Sequence, residues 1–202
     1  MNHVERFDAL MNFQAVDRLP RVEWAGYWTA TTDRWKQEGM NPDLGGAEAL
    51  REHLGLDPYS QFWMGPGSAE TPQPTHHGSG ILKDEADYEA IRPTLYPGID
   101  FSSEGYQWVK AENAAGERVV WISLLGFFWY PRTLFGIEGH LFSFYDHPEL
   151  MHRMNRDLVD YNLQLLDGFC ENVCVPQFMT IAEDMSYNHG PMCSKEQFDE
   201  FL

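Results

Sequence analysis

The chain has 202 residues, with 31 Asp and Glu against 14 Lys and Arg, a net charge of −17 with histidine neutral. A chain this acidic repels nucleic-acid phosphates and anionic membrane surfaces, so neither is an expected partner. At 43% apolar and 22% charged residues it can bury a core, which excludes a disordered chain, and the length fits one or two domains.

The opening MNHVERFDAL lacks the apolar run of a secretory signal. Residues 3–13 carry Val4, Phe7, Leu10 and Met11 at helical spacing and predict a short amphipathic helix that ends before Asp17 to Pro20. In residues 21–26, Val22 and Trp24 alternate with charged or small neighbours, as in a strand. Thr31 or Thr32 caps a helix through Trp35 that stops at Gly39, and a second helix over 47–54 stops at Gly55. Residues 56–83 are rich in proline and glycine and hold one strand, 60–64, with the rest read as loops and a small hairpin. Residues 84–92 read as helix. Residues 106–111 and 118–120 are expected to pair around the turn AAGE.

Residues 119–127 form a nearly continuous β-branched and aromatic run, expected to be a strand buried on both faces. The longest uncharged apolar stretch, VVWISLLGFFWY, is too short for the ~20 residues of a membrane-spanning helix. Residues 146–169 predict the strongest helix, with Asp146 and Glu149 as a capping pair above the apolar row Leu150, Met154, Leu158, Tyr161, Leu165 and Phe169. A second buried strand follows at 177–185. Ser194 and Gln197 then form a capping box that opens a last helix, whose apolar face of Phe198, Phe201 and Leu202 is just beginning where the sequence stops. Strand, helix, strand, helix is the α/β pattern of a parallel sheet, and the chain is expected to continue beyond Leu202. Cys170, Cys174 and Cys193 are too few and too unevenly spaced for a disulfide framework, and neither Cys170-x3-Cys174 nor His189-x3-Cys193 has zinc spacing. His76 and His77 are expected to be exposed in their loop. A cytoplasmic protein is the default.

The segments DRLPRVEWAGYW and DRWKQEGM, then LLGFFWYPRTLFGIEGHLFSFYDHPELMHRMNRDL, then AEDMSYNHGPMCSKEQFDEFL together resemble the uroporphyrinogen decarboxylase family. Within it they resemble the large bacterial branch outside the haem pathway. The resemblance covers nearly the whole chain and is strongest over residues 1–40 and 119–202. It implies an α/β fold, the eight-stranded TIM (β/α)8 barrel. A whole barrel takes roughly 250 residues, so residues 1–202 are expected to be the N-terminal part of one such domain. Its first four strands would be 22–26, 61–64, 119–127 and 178–183. Residues 1–20 would form an N-terminal helical segment, and 56–118 an irregular insertion over the barrel face.

In a barrel, catalytic groups sit where strands run into loops at the C-terminal face. Glu183 and Asp184 lie at such an end, and because neighbouring strand residues point to opposite faces, one of the pair reaches the mouth. Asp184 is favoured, to move a proton or orient a substrate amine or pyrrole N–H. The bland reading is a solvated loop acid or a helix cap. Arg132 would hold a carboxylate or phosphate, or else serve as a structural partner of Glu138 or a carbonyl. Trp24, Tyr27, Trp28, Trp129 and Tyr130 line a flat pocket for a conjugated ligand, or are ordinary packing. In the loop after the fourth strand, Tyr187 contacts substrate and His189 acts as acid or base.

The family includes decarboxylases and methyltransferases that move methyl groups between a corrinoid protein and a thiol. The decarboxylase carries R-Q-A-G-R-Y after its first strand. This chain has VEWAGYW, without either arginine, and Phe135 in LFGIEG replaces a tyrosine. A substrate ringed by carboxylates needs local positive charge, which Arg132 almost alone does not provide. The resemblance therefore implies methyl transfer involving a corrinoid protein or a small methylated substrate. Zinc would then be held by a His-x-Cys pair and a later cysteine in the second half of the barrel, outside this chain. The alternatives are cofactor-free decarboxylation of uroporphyrinogen or a related tetrapyrrole, and a non-catalytic half-barrel that binds a second copy as a homodimer.

Overall fold

A computed structural model describes the whole chain, Met1–Leu202. In chain order it forms α1 (His3–Met11), α2 (Thr29–Gln37), α3 (Ala47–His53), β1 (Tyr59–Met64), α4 (Glu85–Leu95), α5 (Glu104–Ala114), β2 (Val119–Leu125), α6 (Trp129–Phe135), α7 (Ile137–Asp146), α8 (Pro148–Asn172), β3 (Phe178–Ala182), β4 (Ser186–Tyr187), β5 (Gly190–Pro191) and α9 (Lys195–Phe201). The chain divides into two compact units. The first comprises Met1–Gln61, Ser103–Trp121 and Val173–Phe178; the second comprises Phe62–Ser102, Ile122–Asn172 and Met179–Leu202. No helix is long and apolar enough to cross a membrane.

The three longer strands form one parallel sheet in the order β1-β2-β3. Its ladder includes Val119 N–H to Pro58 O at 3.3 Å, Gln177 N–H to Val120 O at 2.8 Å and Gly126 N–H to Ala182 O at 2.9 Å. The central strand β2 is buried almost throughout, as its unbroken apolar run predicts. β3 departs from expectation. Met179 and Ile181 are 44% and 52% exposed, and Thr180 between them is exposed too, so both faces of this edge strand lie open.

The first unit is tied together by ion pairs and stacked rings. Asn2 caps α1 in a reciprocal box with Glu5, and buried Arg6 reaches Asp17 at 2.7 Å. Phe7, Phe178, Trp121 and Tyr59 stack in a continuous row with centroids 4.6–5.3 Å apart. Residues 21–26 do not form a strand. The Asp57 N–H donates to the Arg21 carbonyl at 2.8 Å, the Arg21 N–H donates to the Asp57 carboxylate at 3.1 Å, and Tyr59 Oη donates to the Glu23 carbonyl at 2.6 Å, but these isolated ties make no ladder, and Val22 and Trp24 stay exposed. Residues 106–111 are helical rather than paired with 118–120. The AAGE segment ends α5 at Gly116, in the left-handed conformation (φ 79°), and leads directly into β2. Residues 56–118, expected to be an irregular insertion with a strand at 60–64 and a helix at 84–92, hold β1 and α4 near those places and α5 in addition.

In the second unit α8 carries the core. Leu150, Met154, Leu158, Tyr161, Leu165 and Phe169 are all buried, as the helical row predicts. The expected Asp146 cap is displaced. α7 runs through Asp146, and α8 opens at Pro148, whose fixed φ and missing N–H suit a first helical position. Ser194 caps α9 with Gln197 as the sequence indicates. Phe201 then packs against Phe144 and His152, with centroids 5.2 Å and 4.7 Å away.

Candidate functional site

In the second unit, β2 runs through Gly126 into α6, and β3 ends at Ala182. The next two residues take opposite roles. The Glu183 carboxylate accepts from the N–H groups of Phe127 (2.9 Å), Phe128 (2.8 Å) and Trp129 (3.2 Å). It thereby satisfies donors that the start of α6 would leave unpaired. Glu183 is the helix cap, with both oxygens engaged. Gly126 makes this possible, since a Cβ there would lie 2.0 Å from Glu183 Oε1.

Asp184 turns the other way. Its side chain is 61% exposed, and its backbone takes φ 43°, a left-handed conformation uncommon outside glycine that Asp tolerates better than most residues. Arg132, on α6, faces it, with Nη1 3.4 Å from the Asp184 carbonyl oxygen and 3.5 Å from Oδ2. The guanidinium also lies 5.1 Å from the Trp129 ring centroid. Arg132 thus pairs with Asp184 and not with Glu138. Both distances are long for hydrogen bonds, so the pair is loose and both groups retain capacity for a further partner.

The chain after Asp184 forms the two-stranded β4–β5 hairpin, with Tyr187 opposite Gly190. Tyr187 and His189 pack edge to face at 5.6 Å, and both are exposed. Tyr130 is not at a rim. It is 2% exposed and its Oη donates to Tyr96 Oη at 3.2 Å, in a run that continues to Tyr88 (2.8 Å) and Asp157 (2.7 Å), where Arg92 completes the network at 2.8 Å. Burial pushes the Tyr88 and Tyr130 hydroxyls far above their ordinary range, while the bond from Arg92 lowers Asp157. These hydroxyls stay protonated and act as links, not as bases. Sequence reasoning missed this network, because α4 with Tyr96 just beyond it, α6 and α8 supply its members from positions far apart in the chain.

Trp24, Tyr27 and Trp28 belong to the first unit. Trp24 and Trp28 are 65% and 80% exposed, whereas Tyr27 packs edge-on against Trp35 at 4.9 Å and lines a cavity. His76 and His77 are exposed. No three His, Cys, Asp or Glu side chains converge on one point, and Cys193 is buried while Cys170 is exposed. The donor set of this chain does not fit a zinc ion. No family model matches the sequence, and no curated protein or solved structure matches it either.

Proposed function

We propose that the chain is the N-terminal part of a uroporphyrinogen-decarboxylase-like (β/α)8 barrel, acting in the cytoplasm in methyl transfer with a corrinoid protein or a small methylated substrate. The observation that carries this reading is the delivery of Arg132 and Asp184 to the C-terminal ends of adjacent parallel strands, where barrel enzymes keep their reacting groups. The Glu183 cap fixes the turn, so that Asp184 projects outward. In this reading Asp184 orients substrate or a protonated group, Arg132 takes an anionic group such as a phosphate, and Tyr187 with His189 offers an aromatic face. The corrinoid, when bound, supplies the methyl group.

Two observations weigh between the alternatives. Decarboxylation of a polycarboxylate needs several cations at the strand ends, and the Asp184 corner supplies one, Arg132. The half-barrel module draws on the exposed Met179 and Ile181 of edge strand β3, since an open apolar edge favours pairing with a second copy.

The deciding experiment uses the chain together with whatever coding sequence follows Leu202 in its gene. It is incubated in parallel with methylcobalamin plus a thiol, and with uroporphyrinogen. The reading expects a methyl thioether in the first mixture and no coproporphyrinogen in the second. Coproporphyrinogen without thioether would replace it by the decarboxylase reading. A dimer on size-exclusion chromatography with neither product would favour the binding module.

A further inference from the structure

The first unit contains a cavity of about 340 Å³, within the ~300–1,000 Å³ range typical of small-molecule sites. Its walls come from the extended segment at Glu23 to Tyr27, from α2, and from α3 with the residues that follow it. Met40, Leu44, Leu50 and Leu56 give the cavity apolar lining, while Glu23, Lys36 and Arg51 bring charges of both signs to the same space.

The state of each charge suggests what the space is for. Lys36 is half-buried and makes no ion pair, in a chain where acids outnumber bases 31 to 14. With no carboxylate of the chain against it, its ammonium is open to a carboxylate entering from solution. Arg51 is held in place, its guanidinium 4.0 Å from the Tyr59 ring centroid. Its partner Glu48, at 2.5 Å, is shared with Arg118 at 3.1 Å, and Arg118 also has Glu112 at 4.0 Å. One bond from Arg51 to a shared carboxylate leaves further guanidinium donors for a ligand. On the opposite sign, Glu23 is tied by one oxygen to the Ala25 N–H at 3.2 Å, so its other oxygen can accept. Tyr59 fixes this segment by donating to the Glu23 carbonyl.

We propose that this cavity binds a small zwitterion with an apolar side chain, of the class of the apolar α-amino acids. The ligand carboxylate meets Lys36 and Arg51, its ammonium meets Glu23, and its side chain lies on Met40, Leu44, Leu50 and Leu56. Nothing in this assignment depends on methyl transfer.

Isothermal titration calorimetry with three probes tests it: L-leucine, 4-methylpentanoate (which lacks the ammonium) and 3-methylbutylamine (which lacks the carboxylate). L-leucine is expected to bind saturably, and each analogue to bind roughly tenfold more weakly or worse. Lys36→Met is expected to weaken L-leucine by a similar factor, and Leu44→Trp, which fills the space, to abolish binding while the circular dichroism spectrum is kept. The analogue comparison decides the question on the wild-type protein even if a variant fails to fold. Absence of saturable heat with L-leucine, equal affinity for 4-methylpentanoate, or unchanged affinity in a folded Lys36→Met would each overturn the proposal.

Discussion

His140 on α7 is fully buried, with the Phe128 ring edge-on at 4.6 Å and Phe144 at 4.8 Å. Neither ring nitrogen has a hydrogen-bond partner. Loss of hydration, helped by the nearby positive charge of Arg132, lowers its pKa from the ordinary 6.5 to about 4. The unfolded chain therefore takes up a proton near pH 6.5, and the folded chain only near pH 4. Between those values the unfolded state binds more protons, so stability falls as the pH falls through this window. The neutral ring's advantage is fully present above it, and the loss is complete below it. At about 1.4 kcal/mol per pH unit the total reaches about 3 kcal/mol, of which about 2 kcal/mol is gone by about pH 5. His140→Leu removes the titrating group and the two orphaned nitrogens while keeping a similar volume. Urea unfolding of wild type and variant at about pH 7.5 and about pH 5 reads the difference. The wild type is expected to lose about 2 kcal/mol more than the variant over that interval. Equal losses would refute the assignment of a neutral, unsolvated His140.

Three further outcomes follow from the same unit. Gly126→Ala pushes a Cβ into the Glu183 carboxylate and is expected to cost about 3 kcal/mol as its bonds to the α6 N–H groups break, measurable by urea unfolding. Leu158→Ala empties a fully buried position on α8 and should cost roughly 2–5 kcal/mol; a loss below about 1 kcal/mol would contradict the core assignment. Ser194→Ala removes the α9 cap and should cost about 1 kcal/mol, with the faster hydrogen exchange confined to α9.

What was legible in the sequence was whatever is decided locally. The six-residue row of α8 and the Ser194–Gln197 box need only neighbours three or four positions away, and both appear where the pattern puts them. The alternation argued for Glu183 and Asp184 does not apply, because β3 ends at Ala182 and Asp184 takes a left-handed turn; Glu183 caps α6 and Asp184 is exposed for that reason. Failures came where tertiary context chose between two local options. Val22 and Trp24 alternate like a strand, but the segment is tied to Asp57 and Tyr59 by isolated bonds. Tyr106 and Trp108 read as strand residues, yet α5 forms with buried Val109, and Trp108 lies 4.2 Å beneath the Arg118 guanidinium. The β3 pattern reads as a buried strand, but its faces are left uncovered and Met179 and Ile181 are exposed. The cavity with Lys36 and Arg51 was not legible at all, because its walls are brought together only by the folding of residues 23–59.

The central proposal is methyl transfer at the Asp184–Arg132 corner with a corrinoid as the methyl carrier, and titration of the 202-residue chain with hydroxocobalamin tests it most directly. The account predicts a saturable change in the visible spectrum, weakened by Arg132→Met and by Asp184→Asn but unaffected by Lys36→Met. A spectrum that stays that of free hydroxocobalamin, or a change indifferent to Arg132 and Asp184, would contradict it.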